Sequence, residues 1–172
     1  PKPVRSRFRL GELVDDVGRV VGLLTDERAK WENATPPDFE LDADRDQMFR
    51  LLVNLGRNAV EAGATRVSIS AAASALDRAV IDIGDDGPGL PPKARENLFT
   101  PFAGSARAGG TGLGLAIARE IVRSHGGELT LVKSAADGTI FRIELPWAAL
   151  EPYRSAEGSV LAKRSSTAAQ SS

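Results

Sequence analysis

Asn58 stands where the pattern around it asks for an apolar side chain. Leu51, Leu55, Asn58 and Ala62 recur at helical spacing, so they share one face. A carboxamide in that stripe is costly unless something satisfies it. Its partner is either neighbouring backbone, the ordinary fate of a core asparagine, or a ligand. Asn54 lies one turn earlier and points the same way. Two stacked amides suit a magnesium ion already held by phosphates, because magnesium takes few protein ligands and keeps water and phosphate oxygens.

Asp85 is out of place in the same manner. Ala79, Ile81 and Ile83 alternate onto one face of a strand, and Asp85 continues their phase toward the buried side. A buried carboxylate needs donors. The amino group of adenine is one. Guanine presents an acceptor at that position, so Asp85 would favour an adenine nucleotide. The competing reading is a turn aspartate that caps Gly87, in an Asp-Gly-Pro-Gly stretch of turn-forming residues. Asp86 suits that turn role better.

Gly87 and Gly89 permit positive φ and leave room for a flat ring beside the backbone. Gly109, Gly110, Gly112 and Gly114 form a denser cluster that opens into a periodic helix. Free amides at a helix start favour an anion, and glycines let a phosphate approach them. A flexible linker is the alternative. The cluster is not a Walker loop, since no lysine follows it, nor a dinucleotide fingerprint, since no strand directly precedes it. Phe99, Pro101, Phe102 and Gly104–Ala108 come first, and read as a mobile lid with phenylalanines as anchors or as ordinary core. Arg57 and Arg107 are the basic residues near enough in sequence to face a phosphate. His125, the only histidine, reads as a packing or helix-end residue.

These residues need elements to hold them. Leu10, Leu13, Val14, Val17, Val21 and Leu24 predict an amphipathic helix over about 9–27. A second helix is expected over Asp44–Ala62, a short one over Pro92–Leu98, and a long one over Leu113–His125 ended by Gly126-Gly127. Strands are expected at Ala29–Asn33, Phe39–Asp42, Arg66–Ala72, Ala79–Asp85, Glu128–Lys133 and Thr139–Leu145. The last two form a hairpin about Ala136-Asp137-Gly138. This is an α+β pattern, in which helices layer on one face of a mixed sheet. Residues 1–8 read as a linker, 9–150 as one domain and 151–172 as a disordered Ser/Ala-rich tail.

Composition sets outer limits. The 172 residues suffice for one domain with a core, and a net charge of −1 argues against an electrostatic nucleic-acid binder. With no cysteine and one histidine, thiolate and multi-histidine metal sites are excluded. No apolar run approaches the roughly 20 residues of a membrane span, and no secretory signal is visible. The missing initial Met suggests a fragment, which leaves open a membrane anchor on the rest of the parent.

Four pieces in order, NLGRNAVEA from Asn54, DDGPGL from Asp85, FTPF from Phe99 and GGTGLGL from Gly109, resemble the N, G1, F and G2 boxes of the histidine-kinase ATP-binding domain. The wider group includes gyrase, Hsp90 and MutL. The match runs from about Arg9 to Leu145, and the later Ser124–Gly127 and Gly138-Thr139 also follow the family pattern. The resemblance implies a two-layer Bergerat sandwich: a mixed, mostly antiparallel sheet covered on one face by three helices, with a glycine-rich ATP lid. It implies ATP and Mg²⁺ as cofactors, with Asn58 on the metal and Asn54 assisting it or holding phosphate. Asp85 would take the adenine amino group, Gly87 and Gly89 frame the base, and Gly110, Gly112, Leu113 and Gly114 face the phosphates. Thr139 would support adenine through water.

Glu61 departs from the Lys or Arg that many members carry three residues after the magnesium Asn, which leaves Arg57 or Arg107 as the phosphate-facing cation. Gyrase-like members place a general-base Glu where this chain has Asn54, which cannot accept a proton from water. The site would then position the γ-phosphate for a nucleophile from elsewhere. His125 is followed by Gly126, unlike the family's phosphoacceptor. The resemblance therefore implies an excised catalytic domain, cytoplasmic and monomeric alone. Its partners would be the absent dimerisation domain of a homodimeric parent and, through it, a response regulator in two-component signalling. A serine-kinase or anti-sigma regulator, a gyrase-like ATPase and a degenerate scaffold are the alternatives.

Overall fold

The computed structural model describes residues 2–75, 77–100 and 114–146. In chain order these form β1 (Ser6–Arg9), α1 (Leu10–Leu24), β2 (Lys30–Ala34), β3 (Glu40–Ala43), α2 (Arg45–Glu61), β4 (Arg66–Ala73), β5 (Ala79–Asp85), α3 (Pro92–Glu96), α4 (Gly114–Ser124), β6 (Glu128–Ala135) and β7 (Gly138–Leu145). Five strands make one sheet in the order β2-β4-β5-β7-β6, and β1 pairs with β3 apart from it. Only β2 and β4 run parallel within the five-stranded sheet; its other pairs are antiparallel.

Alternation decides which face of the sheet is covered. Ile69 lies opposite Ile83, which lies opposite Phe141; Ile81, Ile143 and Leu129 form the next row. All six are buried. The outward row, Ser70, Asp82, Arg142 and Thr130, is polar, and Arg142 clasps Asp82 with two bonds of 2.8 and 2.9 Å. One face is apolar, so one layer of helices suffices to cover it. The stripes of α1 (Leu10, Leu13, Val14, Val17, Val21), α2 (Met48, Leu51, Leu52, Leu55) and α4 (Ala118, Ile121, Val122) join it in one core. The expected α+β sandwich is therefore present. No helix among the described residues is long and apolar enough to cross a membrane.

Two differences from the sequence reading have physical causes. Ser6–Arg9, read as linker, form β1, because β3 supplies its partners from more than thirty positions away (Arg9 opposite Glu40, Ser6 opposite Ala43). Phe8 is its only large apolar residue, so no alternation announced it. Helix α1 stops at Leu24 instead of residue 27, since Asp26 and Glu27 take φ of 52° and 53°, outside helical space.

Trp31 sets the α1–α2 approach. Its indole Nε1 donates to Val14 O at 3.0 Å, and the ring fills notches at Gly18 and Gly56. A Cβ on Gly18 would lie 2.4 Å from Trp31 Cδ1, too close for any carbon. Gly18→Ala is therefore expected to lower stability by about 1–3 kcal/mol through overpacking, measurable as a fall in Tm with a shifted tryptophan emission.

Candidate functional site

Helix α2 begins cleanly because Asp44 caps it, Oδ1 accepting from Gln47 N at 3.1 Å. Its buried set is Met48, Leu51, Leu52, Leu55, Gly56, Ala59 and Val60. Asn54 and Asn58 are half-buried on the border of this stripe, not within it as the spacing implied. The stripe is broader than the sequence showed because α2 touches α1, α4 and the sheet at once. Beside Asn58 begins α4: a Cβ on Gly114 would stand 3.4 Å from Asn58 Nδ2. Asn58 and the helix after the glycine cluster, more than fifty positions apart, thus meet. Gly109, Gly110, Gly112 and Leu113, with Pro101, Phe102 and Arg107, lie outside the described residues.

The phase of β5 is as alternation required. Ala79, Ile81 and Ile83 are buried, and Asp85 is half-buried at the strand end. Its cross-strand neighbours are Val67 and the buried Thr139, so Asp85 and Thr139 stand together. Asp85 Oδ1 also accepts from Gly87 N at 2.8 Å. The turn role assigned to Asp86 therefore belongs to Asp85. Asp86 instead holds the start of β4, accepting from Thr65 N, Thr65 Oγ1 and Arg66 N at 2.8, 2.6 and 2.9 Å. The Thr65 hydroxyl, helped by the two amides, keeps the Asp86 carboxyl below its ordinary range.

The loop after β5 is fixed against the β6–β7 hairpin. Leu90 N donates to Ser134 Oγ at 2.8 Å and Arg95 to Ser134 O at 2.7 Å. Gly89 has φ of +83°, and a Cβ there would lie 2.5 Å from Ala135 O. Gly89→Ala is expected to displace this loop, weakening nucleotide binding more than tenfold by calorimetry, with at least about 1 kcal/mol of lost stability from the positive φ alone.

Arg57 is exposed and paired with Glu61 one turn on, at 2.8 Å. His125 is buried, as its packing role required. Asp44 N donates to its Nε2 at 3.0 Å, and its Nδ1 lies 2.9 Å from Ile121 O, placed to donate to it. Asp44 Oδ2 accepts from Val4 N at 2.9 Å. One buried node thus joins the entering chain, the start of α2 and the end of α4. Sequence reasoning missed it, although an Asp immediately before a helical pattern is a cap signal.

Burial raises the Asp44 carboxyl, but the Val4 and Gln47 amides outweigh it, so the group stays below its ordinary range. A carboxyl lowered on folding contributes stability that is present above its unfolded value of about 3.9. That stability is lost as pH falls through the lower folded value. Asp44→Asn, which still caps a helix, is expected to flatten the fall of Tm with acid below about pH 4.

Residues 43–149 match a protein family described as histidine kinase-, DNA gyrase B- and HSP90-like ATPase. Over 108 residues the chain is 37% identical to the sensor histidine kinase ZraS of Salmonella typhimurium, covering 62% of this chain and 23% of that one. Over 161 residues it is 36% identical to the sensor histidine kinase AruS of Pseudomonas aeruginosa, covering 83% of this chain and 16% of that one. The chain thus spans less than a quarter of either relative's length. Among solved structures, the nucleotide-free catalytic domain of histidine kinase ThkA superposes with a TM-score of 0.71 at 28% identity, over 83% of this chain and 95% of that one. The mycobacterial sensor histidine kinase MprB gives 0.70 at 28%, over 83% and 97%.

Proposed function

The chain belongs to the family of histidine kinase-, DNA gyrase B- and HSP90-like ATPases, and from that premise we propose that it is the ATP-binding catalytic domain of a sensor histidine kinase. It holds Mg·ATP and presents the γ-phosphate to a histidine on a dimerisation domain elsewhere in a longer, homodimeric parent. The parent then passes the phosphate to a response regulator. The domain proper begins with β1 and runs to about residue 150.

One observation carries this reading: Asn58 lies beside Gly114 at the start of α4, with Asn54 one turn before it on α2. Asn58 is the magnesium ligand and Asn54 assists it. Among the described residues no group of three or more His, Asp or Glu side chains could hold an ion. Neutral amides therefore suit an ion that arrives with the nucleotide's phosphates. An ion held by Asn58 would supply positive charge to offset that developing on the transferring phosphoryl group. Asp85 accepts from the adenine amino group, Thr139 beside it supports the base through water, and Gly87 and Gly89 border the ring. Gly110, Gly112, Leu113 and Gly114 offer backbone to the phosphates. Asn54 has no basic oxygen to activate water, so the site spares ATP until an acceptor arrives.

Phosphotransfer from γ-labelled ATP to an added histidine-bearing dimerisation domain tests this. Acid-labile phosphate on the acceptor is expected. Acid-stable phosphate would favour a serine kinase. Rapid acceptor-free turnover that vanishes in Asn54→Ala would replace the kinase reading with a gyrase-like ATPase.

A further inference from the structure

Arg119 is spent in a way the nucleotide reading does not use. It lies on α4 and its guanidinium stacks over the ring of Phe99, 4.7 Å from the centroid. Its Nε donates to Glu128 Oε1 at 3.3 Å, and Arg123, one turn on, donates to Oε2 of the same carboxylate at 3.4 Å. Burial raises the Glu128 carboxyl, but the hydrogen bond from Arg119 and the two positive charges hold it below its ordinary range. Glu128 opens β6, so the arginine is gripped from the sheet side while its flat face rests on Phe99. A planar, delocalised cation can do both at once, which an ammonium cannot.

The placement of Phe99 matters because of its position along the chain. Phe99 and Thr100 are the last described residues before α4, and Gly114, the first residue of α4, lies beside Asn58. Phe99 is only half-buried and packs on the rim of the core, together with Leu98 and Leu115. Apolar contact alone leaves an aromatic ring free to slide along such a rim. A cation carried by α4 and stacked on its face gives it one position relative to that helix.

We propose that Arg119 is a positioning residue for the nucleotide site: it locks Phe99 onto α4 and thereby fixes the chain leaving α3 relative to Gly114 and Asn58. The inference rests on the ATP-binding reading for its functional consequence, but its structural core can be read without nucleotide. In the nucleotide-free chain, Arg119→Ala is expected to speed amide exchange at Phe99 and Thr100, with β5 and β7 unaffected. Unchanged exchange there overturns the proposal whatever ATP does.

With Mg·ATP, calorimetry on Arg119→Ala is expected to show affinity about fivefold weaker, the scale of a part-exposed cation–π contact. Phe99→Leu should cost as much, and the double variant no more than either alone. Phe99→Trp keeps a ring for the cation and should restore binding. Glu128→Gln keeps Arg119 over the ring and separates the two contacts. If it loses as much affinity as Arg119→Ala, the ion pair to β6 is the active element and the proposal falls. Failure of the wild-type chain to bind Mg·ATP would remove the ATP reading, while the exchange experiment would still decide the Arg119–Phe99 lock.

Discussion

Asp85→Asn is expected to weaken Mg·ATP binding by about 1–3 kcal/mol, the cost of a buried polar mismatch, while leaving the fold in place. Asparagine keeps an oxygen that can accept from Gly87 N, so the turn after β5 retains the bond it has now at 2.8 Å. The charge is lost, and one carboxylate oxygen becomes an amino group. An adenine amino group then meets a donor where it had an acceptor. Calorimetry should show lower affinity for ATP and a narrower preference over GTP, because guanine's oxygen can accept from the new amide. Asp86→Asn is the matched control. Its three donors come from Thr65 and Arg66, so it should loosen the start of β4 without touching base preference. Equal ATP affinity in Asp85→Asn and wild type would remove Asp85 from base recognition and leave it a turn residue.

How far the sequence carried the structure depended on the range of each interaction. The phase of β5 was legible because side-chain direction in a strand has period two, and one polar residue in phase with Ala79, Ile81 and Ile83 is conspicuous. Helix α2 was bounded to within a residue at each end because its apolar stripe is a local pattern. The exact setting of Asn58 was not legible. Periodicity gives the middle of a buried stripe but not its width, and the width depends on how many partners α2 meets. The turn contact fell to Asp85 and not to Asp86 for a related reason. Turn chemistry counts two or three positions ahead, whereas Asp86 bonds Thr65, 21 positions back. The His125–Asp44 contact spans 81 positions, and β1 finds β3 across more than thirty. No local rule reaches such pairs. The residues proposed for the site, Asn54, Asn58, Asp85, Gly87, Gly89 and Gly114, could be singled out by type and motif order, because a nucleotide site needs unusual residue types at fixed intervals.

Asn58→Ala is expected to separate metal from base. With magnesium present, ATP affinity should drop at least on the order of tenfold, the loss typical even of groups one step removed from a bound metal. In EDTA, variant and wild type should bind nucleotide alike, since Asp85 and the loop about Gly87 are unaltered. The fold should tolerate the change. Asn58 is half-buried at the border of the stripe, alanine is the best helix former, and the bond from Ala62 N to the carbonyl of residue 58, now 3.0 Å, belongs to the backbone. Asn58→Asp retains an oxygen at the same place and should keep magnesium-dependent binding. Asn54→Ala should show a smaller loss of the same kind, because its amide is one turn further from Gly114. If Asn58→Ala lost affinity equally with and without magnesium, the carboxamide would be bracing the start of α4 at Gly114 and not holding the ion. The transfer chemistry would then need its metal ligand from residues outside α2.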